Sequence, residues 1–225
     1  MPVVRRALAV LPVAAVAVAA SSAQAATITT APCVPYVQGT TIKMPIVGAG
    51  FTPNALVRVH TSIATGPPQI LTSTTADAAG NFGAQAFPPS FRPFNRNVQT
   101  FNLIGEDRTN PAAPIIAAST FQVARFGLTS NPSRPQRPRQ TVTYTARGFK
   151  PGAPVYIHFR FGGKTRRTVS LGIAKAPCGI ASKRMRALPT RARYGNWTRI
   201  TNQSRTSPTA TPLWKDGFRV FRRFF

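Results

Sequence analysis

The chain has 225 residues, 43% of them hydrophobic, and a formal net charge of +25. That apolar fraction excludes a disordered polyelectrolyte. With Asp and Glu numbering four in all, there is little material for two-carboxylate catalysis, and a field this one-sided attracts anionic partners.

The N-terminus reads as a secretory signal peptide, residues 1–25. Arg5 and Arg6 precede an uncharged apolar run from Ala7 to Ala20, and Ala23-Gln24-Ala25 offers small residues where a signal peptidase reads. The run is short and holds Pro12, whereas a spanning helix needs about 20 apolar residues. The expectation is cleavage after Ala25 and a secreted or wall-associated chain of residues 26–225.

In residues 26–126, Ile42, Met44 and Ile46 alternate with polar positions over Thr40 to Ile46, as in a half-buried strand. A turn follows at Gly50-Phe51-Thr52-Pro53-Asn54. In the next strand Val57, Val59 and Ile63 share one face, with Arg58 and His60 on the other. Further strands are expected near Gln69 to Thr75, Phe82 to Phe87, Val98 to Ile104 and Ile115 to Val123. Many short strands between turn signals predict an all-β sandwich.

Residues 127–139, which include Pro132, Pro135 and Pro138, read as a Pro/Arg-rich linker, and residues 140–225 as a second sandwich. There Val142, Tyr144 and Ala146 alternate with threonines. Gly148-Phe149-Lys150-Pro151-Gly152-Ala153 repeats the first turn 98 residues on (148 − 50), which indicates one small domain used twice. Val155, Ile157, Phe159 and Phe161 then oppose Tyr156, His158 and Arg160, and Gly162-Gly163 marks a hairpin. Gly195-Asn196-Trp197 reads as the counterpart of Gly80-Asn81-Phe82. On that match the second copy gains a net 17 residues (47 − 30) between Lys164 and Tyr194. The closing strand falls at Phe218 to Phe225, with Phe218 and Val220 inward.

The pattern G-F-x-P-x-x-x-V-x-V-H with a following D-x-x-G-x-F resembles the bacterial immunoglobulin-like modules of exported proteins. The second half, with Ala176-Pro177-Cys178-Gly179 and Gly195-Asn196-Trp197, resembles a module that follows such a domain in secreted actinobacterial proteins of unassigned function. The resemblance implies two tandem immunoglobulin-like β-sandwiches and supplies no catalytic residue.

His60 and His158, the two histidines of the chain, fall on polar strand faces and read as exposed residues duplicated with the fold, since a metal site needs three or four convergent ligands. No metal and no cofactor is expected. Cys33 and Cys178 are the two cysteines. In an exported chain an internal disulfide between them is the leading reading; two buried thiols or a bond to another chain are the alternatives. No nucleophile elbow, P-loop, dinucleotide fingerprint or zinc-protease motif is present. Glu106 and Asp107 read as an exposed strand end.

Charge divides unevenly. Residues 26–126 carry six Lys/Arg against three acids, and residues 127–225 carry 21 against Asp216 alone, a net of +20. A compositional preference for Arg over Lys explains part of this, but not the lack of acids in the second half. The candidate anion-binding residues are Arg166, Arg167, Lys183, Arg184, Arg186, Arg191 and Arg193, because the planar guanidinium fork suits paired oxygens. The expected partner is an anionic wall polymer, an acidic polysaccharide or lipid headgroups; nucleic acid is expected to bind non-specifically. An enzyme ranks last.

Overall fold

The computed structural model describes residues 25–37, 42–62, 67–91, 96–133, 139–188 and 193–220. Residues 1–24 of the expected signal peptide, Thr40, Ile63, residues 134–138 of the expected linker, Arg191 and residues 221–225 of the expected closing strand lie outside the described residues.

All regular structure among the described residues is β. In chain order the strands of the first half are β1 (Thr27–Thr30), β2 (Cys33–Tyr36), β3 (Met44–Ala49), β4 (Leu56–Ser62), β5 (Gln69–Thr75), β6 (Phe82–Ala86), β7 (Val98–Asp107) and β8 (Ile115–Arg125). Those of the second half are β9 (Gly127–Asn131), β10 (Thr141–Arg147), β11 (Pro154–Phe161), β12 (Lys164–Ile173), β13 (Ala181–Arg186), β14 (Gly195–Asn202) and β15 (Trp214–Val220). β9 occupies residues expected in the linker, because its alternation lets Gly127–Asn131 pair antiparallel with β10.

The strands form four sheets, ordered β1-β3-β6, β2-β8-β7-β4-β5, β13-β10-β9 and β12-β11-β14-β15. Buried side chains fall in two clusters, one from Ile28 to Val123 and one from Leu128 to Val220. Each cluster fills the space between one small and one larger antiparallel sheet, the immunoglobulin-like sandwich arrangement. The alternation dictates this: Val57 and Val59, like Val155, Ile157 and Phe159, are fully buried. β2 is an addition to the first half and pairs parallel with β8.

Superposing the pairing patterns matches β3 to β10, β4 to β11, β5 to β12, β6 to β13, β7 to β14 and β8 to β15. This corrects the expected second anchor. The counterpart of Gly80 is Gly179, not Gly195: Gly80 lies 30 residues after Gly50 (80 − 50) and Gly179 lies 31 after Gly148 (179 − 148). Both have left-handed φ, +79° and +59°, and a Cβ on either would strike the carbonyl oxygen of the repeated phenylalanine, Phe51 or Phe149. Gly195-Asn196-Trp197 instead opens β14, where Trp197 stands opposite Phe218 as Phe101 stands opposite Phe121. The 17-residue insertion is therefore not present between β12 and β13.

The repeated turn is clamped alike in both halves. The Thr52 amide donates to Asp107 Oδ2 (3.2 Å), and the Lys150 amide, 98 residues on, to Gln203 Oε1 (3.2 Å). Asp107 is thus a buried turn clamp, 1% exposed, and not the exposed strand end expected. Glu106 does point to the opposite face, paired with Arg108.

Cys33 and Cys178 are joined by a disulfide with a Cα–Cα distance of 5.1 Å. It ties β2 to the turn between β12 and β13, beside the Gln122 side-chain amide, 3.2 Å from Cys178 Sγ. Closing a loop of 145 positions stabilises the fold by nominally about 4 to 5 kcal/mol.

Candidate functional site

The small sheet of the second half presents a cationic outer face because of how β10 and β13 alternate. Val142, Tyr144 and Ala146 point into the core, 0 to 1% exposed, which turns Thr141, Thr143, Thr145 and Arg147 outward. The antiparallel register sets Arg186 beside Thr141, Arg184 beside Thr143 and Ser182 beside Thr145. On the other flank, β9 sets Asn131 beside Thr143 and Thr129 beside Thr145. Arg184 and Arg186 are exposed and have no hydrogen bond or ion pair to another described residue. The Arg147 guanidinium, pushed down from its ordinary value by burial, donates to Thr129 Oγ1 at 2.8 Å.

The other candidates lie elsewhere. Lys183 stands opposite Tyr144 on the inward face of β13, and its Nζ donates to the Ser170 carbonyl of β12 at 3.1 Å, joining the edges of the two sheets. Arg166 and Arg167 are exposed on β12, at the edge of the larger sheet, where the register shifts opposite Phe159 and Arg160. Arg193 precedes β14, and its carbonyl accepts a hydrogen bond from Trp197 Nε1 (2.8 Å). The structure thus brings Arg166, Arg167, Arg184 and Arg186 onto adjoining strands, leaves Arg193 apart and commits Lys183 to structure. The β10 threonines alternate with the core residues in the sequence, but only the register of β9, β10 and β13 sets Thr141, Thr143, Asn131 and Arg147 on the face that holds Arg184 and Arg186.

The acid of this half does not temper the face. Asp216 points inward and pairs with Arg199, whose Nε donates to Asp216 Oδ1 at 3.0 Å. The Arg199 guanidinium lies over the rings of Tyr144 (5.5 Å) and Phe218 (5.0 Å). Burial pushes the Asp216 carboxyl up against the pull of Arg199. Burial works against the Arg199 charge too, but Asp216 outweighs it.

His158 departs from expectation. It is 1% exposed, because the connection from β14 to β15 covers the outer face of β11. His158 Nε2 faces two acceptors, Asn202 Oδ1 (3.0 Å) and the Ser204 carbonyl (2.9 Å), and Nδ1 lies 3.0 Å from Thr168 Oγ1. Asn202 is oriented by its own bond to the Ser207 carbonyl (2.8 Å). The imidazole is a satisfied core group. Among the described residues, no three His, Cys, Asp or Glu side chains are grouped to hold a metal ion.

No family model matches the chain, and no curated protein matches it. Solved structures similar to it include a tetra-tandem repeat from the extending region of a large adhesion protein (13% identity, 86% of this chain and 47% of that one, TM-score 0.29). A marsupial T cell receptor gives 11% identity over 87% of this chain and 62% of that one, TM-score 0.33. A red sea bream transglutaminase gives 12% identity, 88% and 31%, TM-score 0.29. The chain spans about half the length of the first and under two thirds of the second. The fold assignment rests on the strand pairing itself.

Proposed function

We propose that this is an exported, non-catalytic binding or structural protein whose second half presents a cationic face to an anionic cell-wall polymer or acidic polysaccharide. The observation that carries the reading is the pair Arg184 and Arg186, exposed, unpaired with any described residue and unopposed by an acid on their sheet face. The signal-peptide pattern of residues 1–25, the resemblance to exported tandem modules and a disulfide, which persists in oxidising compartments, support export. The flat, hydroxyl-rich face lacks the apolar side chains that insert among lipid headgroups, so a polymer is favoured over a membrane. A DNA-binding reading is favoured by the +20 charge alone. Tyr194 is the one exposed aromatic among the described residues of this half, whereas single strands are bound on stacking platforms.

The test is binding of the mature chain, residues 26–225, to purified wall polymer, anionic liposomes and DNA across a salt series. Wall polymer should remain bound at physiological salt after the other two have dissociated. Equal binding to all three that vanishes together below that salt would leave only a non-specific polycation.

A further inference from the structure

We infer that the outer face of β9, β10 and β13 reads tetrahedral oxyanions, phosphate or sulfate esters carried at regular intervals on a linear polymer. The inference rests on the anionic-polymer reading above and narrows its ligand. Two subsites repeat along β13. One is Arg184 with Thr143 and, on the far side of Thr143, Asn131; the other is Arg186 with Thr141. Residues two apart on a strand lie roughly 6.7 Å from one another on the same face, and directly paired side chains across strands about 5 Å apart. Each guanidinium therefore has a hydroxyl beside it, and the pair repeats at a fixed step.

The hydroxyl decides the chemistry. A carboxylate offers two oxygens in one plane, which a guanidinium fork engages with two parallel N–H bonds. A phosphate or sulfate ester presents a further oxygen out of that plane, within reach of a neighbouring donor. The Thr141 and Thr143 hydroxyls have no partner among the described residues. The next row is already closed on itself: Thr145 Oγ1 and Ser182 Oγ are 3.0 Å apart, and Thr129 Oγ1 accepts from Arg147. Unpartnered threonine hydroxyls on this face are thus confined to the rows that hold the two unpaired arginines. In the first half the positions matching Thr143 and Arg184 are Pro45 and Gln85, which rebuild neither.

The experiment titrates the disulfide-bonded mature protein with long-chain inorganic polyphosphate, dextran sulfate and polygalacturonate at matched charge and physiological salt. The wild type and two variants are compared: T141V/T143V, which keeps shape and removes both hydroxyls, and T141S/T143S, which keeps them. The valine variant should lose about tenfold in affinity for polyphosphate and dextran sulfate, stay within about twofold for polygalacturonate, and melt with the wild type. The serine variant should bind as the wild type does. An equal loss on all three polymers, or no loss on any, overturns the oxyanion assignment while leaving the cationic-face reading standing. Failure of the wild type to bind any of the three overturns both.

Discussion

The outer faces of the two small sheets are built on one framework and present opposite chemistry. In the first half the face carries Pro45, Val47, Ala49, Gly83 and Gln85. The matching positions of the second half are Thr143, Thr145, Arg147, Ser182 and Arg184. The neighbouring edge strands differ in the same way: β5 and β6 carry no charge, whereas β12 and β13 together carry six Lys/Arg and no acid. The cationic side of the second sandwich thus differs from the first in its surface residues and not by an added loop between β12 and β13. Cations on exposed edges also block strand-to-strand association, so solubility and the proposed ligand binding pull the sequence the same way there.

One interior difference goes against the rule that cores are kept apolar. Trp197 and Phe218 match Phe101 and Phe121, but the next pair inward, Leu103 and Ser119, is matched by Arg199 and Asp216. The pair is partly buried, its side chains 12% and 23% exposed; breaking such a pair strands the remaining charge, whereas replacing both partners is often neutral or stabilising. Asp216→Ser should therefore lower the stability of the second half by roughly 2 to 3 kcal/mol, somewhat less than for a fully buried pair. Arg199→Leu/Asp216→Ser, which restores the first half's pair, should recover most of that loss. Urea titration followed by tryptophan fluorescence reads it cleanly, because Trp197 and Trp214 are the only tryptophans and both lie in the second half. A double variant as unstable as the single one would mean that the ion pair specifies the fold.

Exchanging the faces is the next largest change. Arg147→Ala/Arg184→Gln/Arg186→Ala brings the first half's neutral character to the second. It should lower wall-polymer affinity about a hundredfold near physiological salt and reduce the slope of log affinity against log salt by about two to three. The melting midpoint should fall only slightly, because Arg184 and Arg186 are exposed surface positions and the loss at Arg147 is one hydrogen bond to Thr129, worth about 1 kcal/mol. A slope unchanged by losing three cations would relocate the site.

The clamps on the repeated turn separate the halves by pH. Burial raises the Asp107 carboxyl, but hydrogen bonds from Thr109 and Thr52 outweigh it and hold the pKa at about 2, against an ordinary 3.8. A depressed folded-state pKa stabilises above the unfolded value and is lost as pH falls from about 4 towards 2, here about 2 kcal/mol. Gln203 does not titrate. In acid, then, circular dichroism should detect the first half unfolding before tryptophan fluorescence reports the second. Asp107→Asn should flatten that dependence, and coincident transitions in the wild type would break the contrast between the clamps.

Much of this was legible in the chain, and the misses have physical causes. The Gly-Phe-x-Pro turn and the alternation of Val57/Val59 and Val155/Ile157/Phe159 located equivalent core strands, because burial on one face leaves a period of two. The second anchor was misread because Gly80-Asn81-Phe82 and Gly195-Asn196-Trp197 look alike. The shared constraint at Gly179 is a left-handed backbone against the Phe149 carbonyl, and it preserves only the glycine. His158 looked exposed because strand alternation cannot reveal that a later loop folds over the outer face. Asp107 looked like a free acid because its amide partner, Thr52, lies 55 residues away. The arginines were visible as a charge cluster, but their separation into outward, edge and inward positions needed the register.

Lys183 is the smallest and sharpest test of that separation. Its counterpart in the first half is Ala84, opposite Ile46 as Lys183 is opposite Tyr144. It is exposed on an edge strand, and its amine is taken up by the Ser170 carbonyl. Lys183→Ala should cost roughly 0.5 kcal/mol, through loss of one exposed hydrogen bond. It should lower wall-polymer affinity by no more than about threefold, the share of a charge that contributes to the general field and not to a contact. Arg184→Gln, one residue along but on the outward face, should do more to binding and less to stability. If the two substitutions had the same effect on affinity, charge alone would matter, and the direction in which each side chain points from β13 would be irrelevant to what the protein binds.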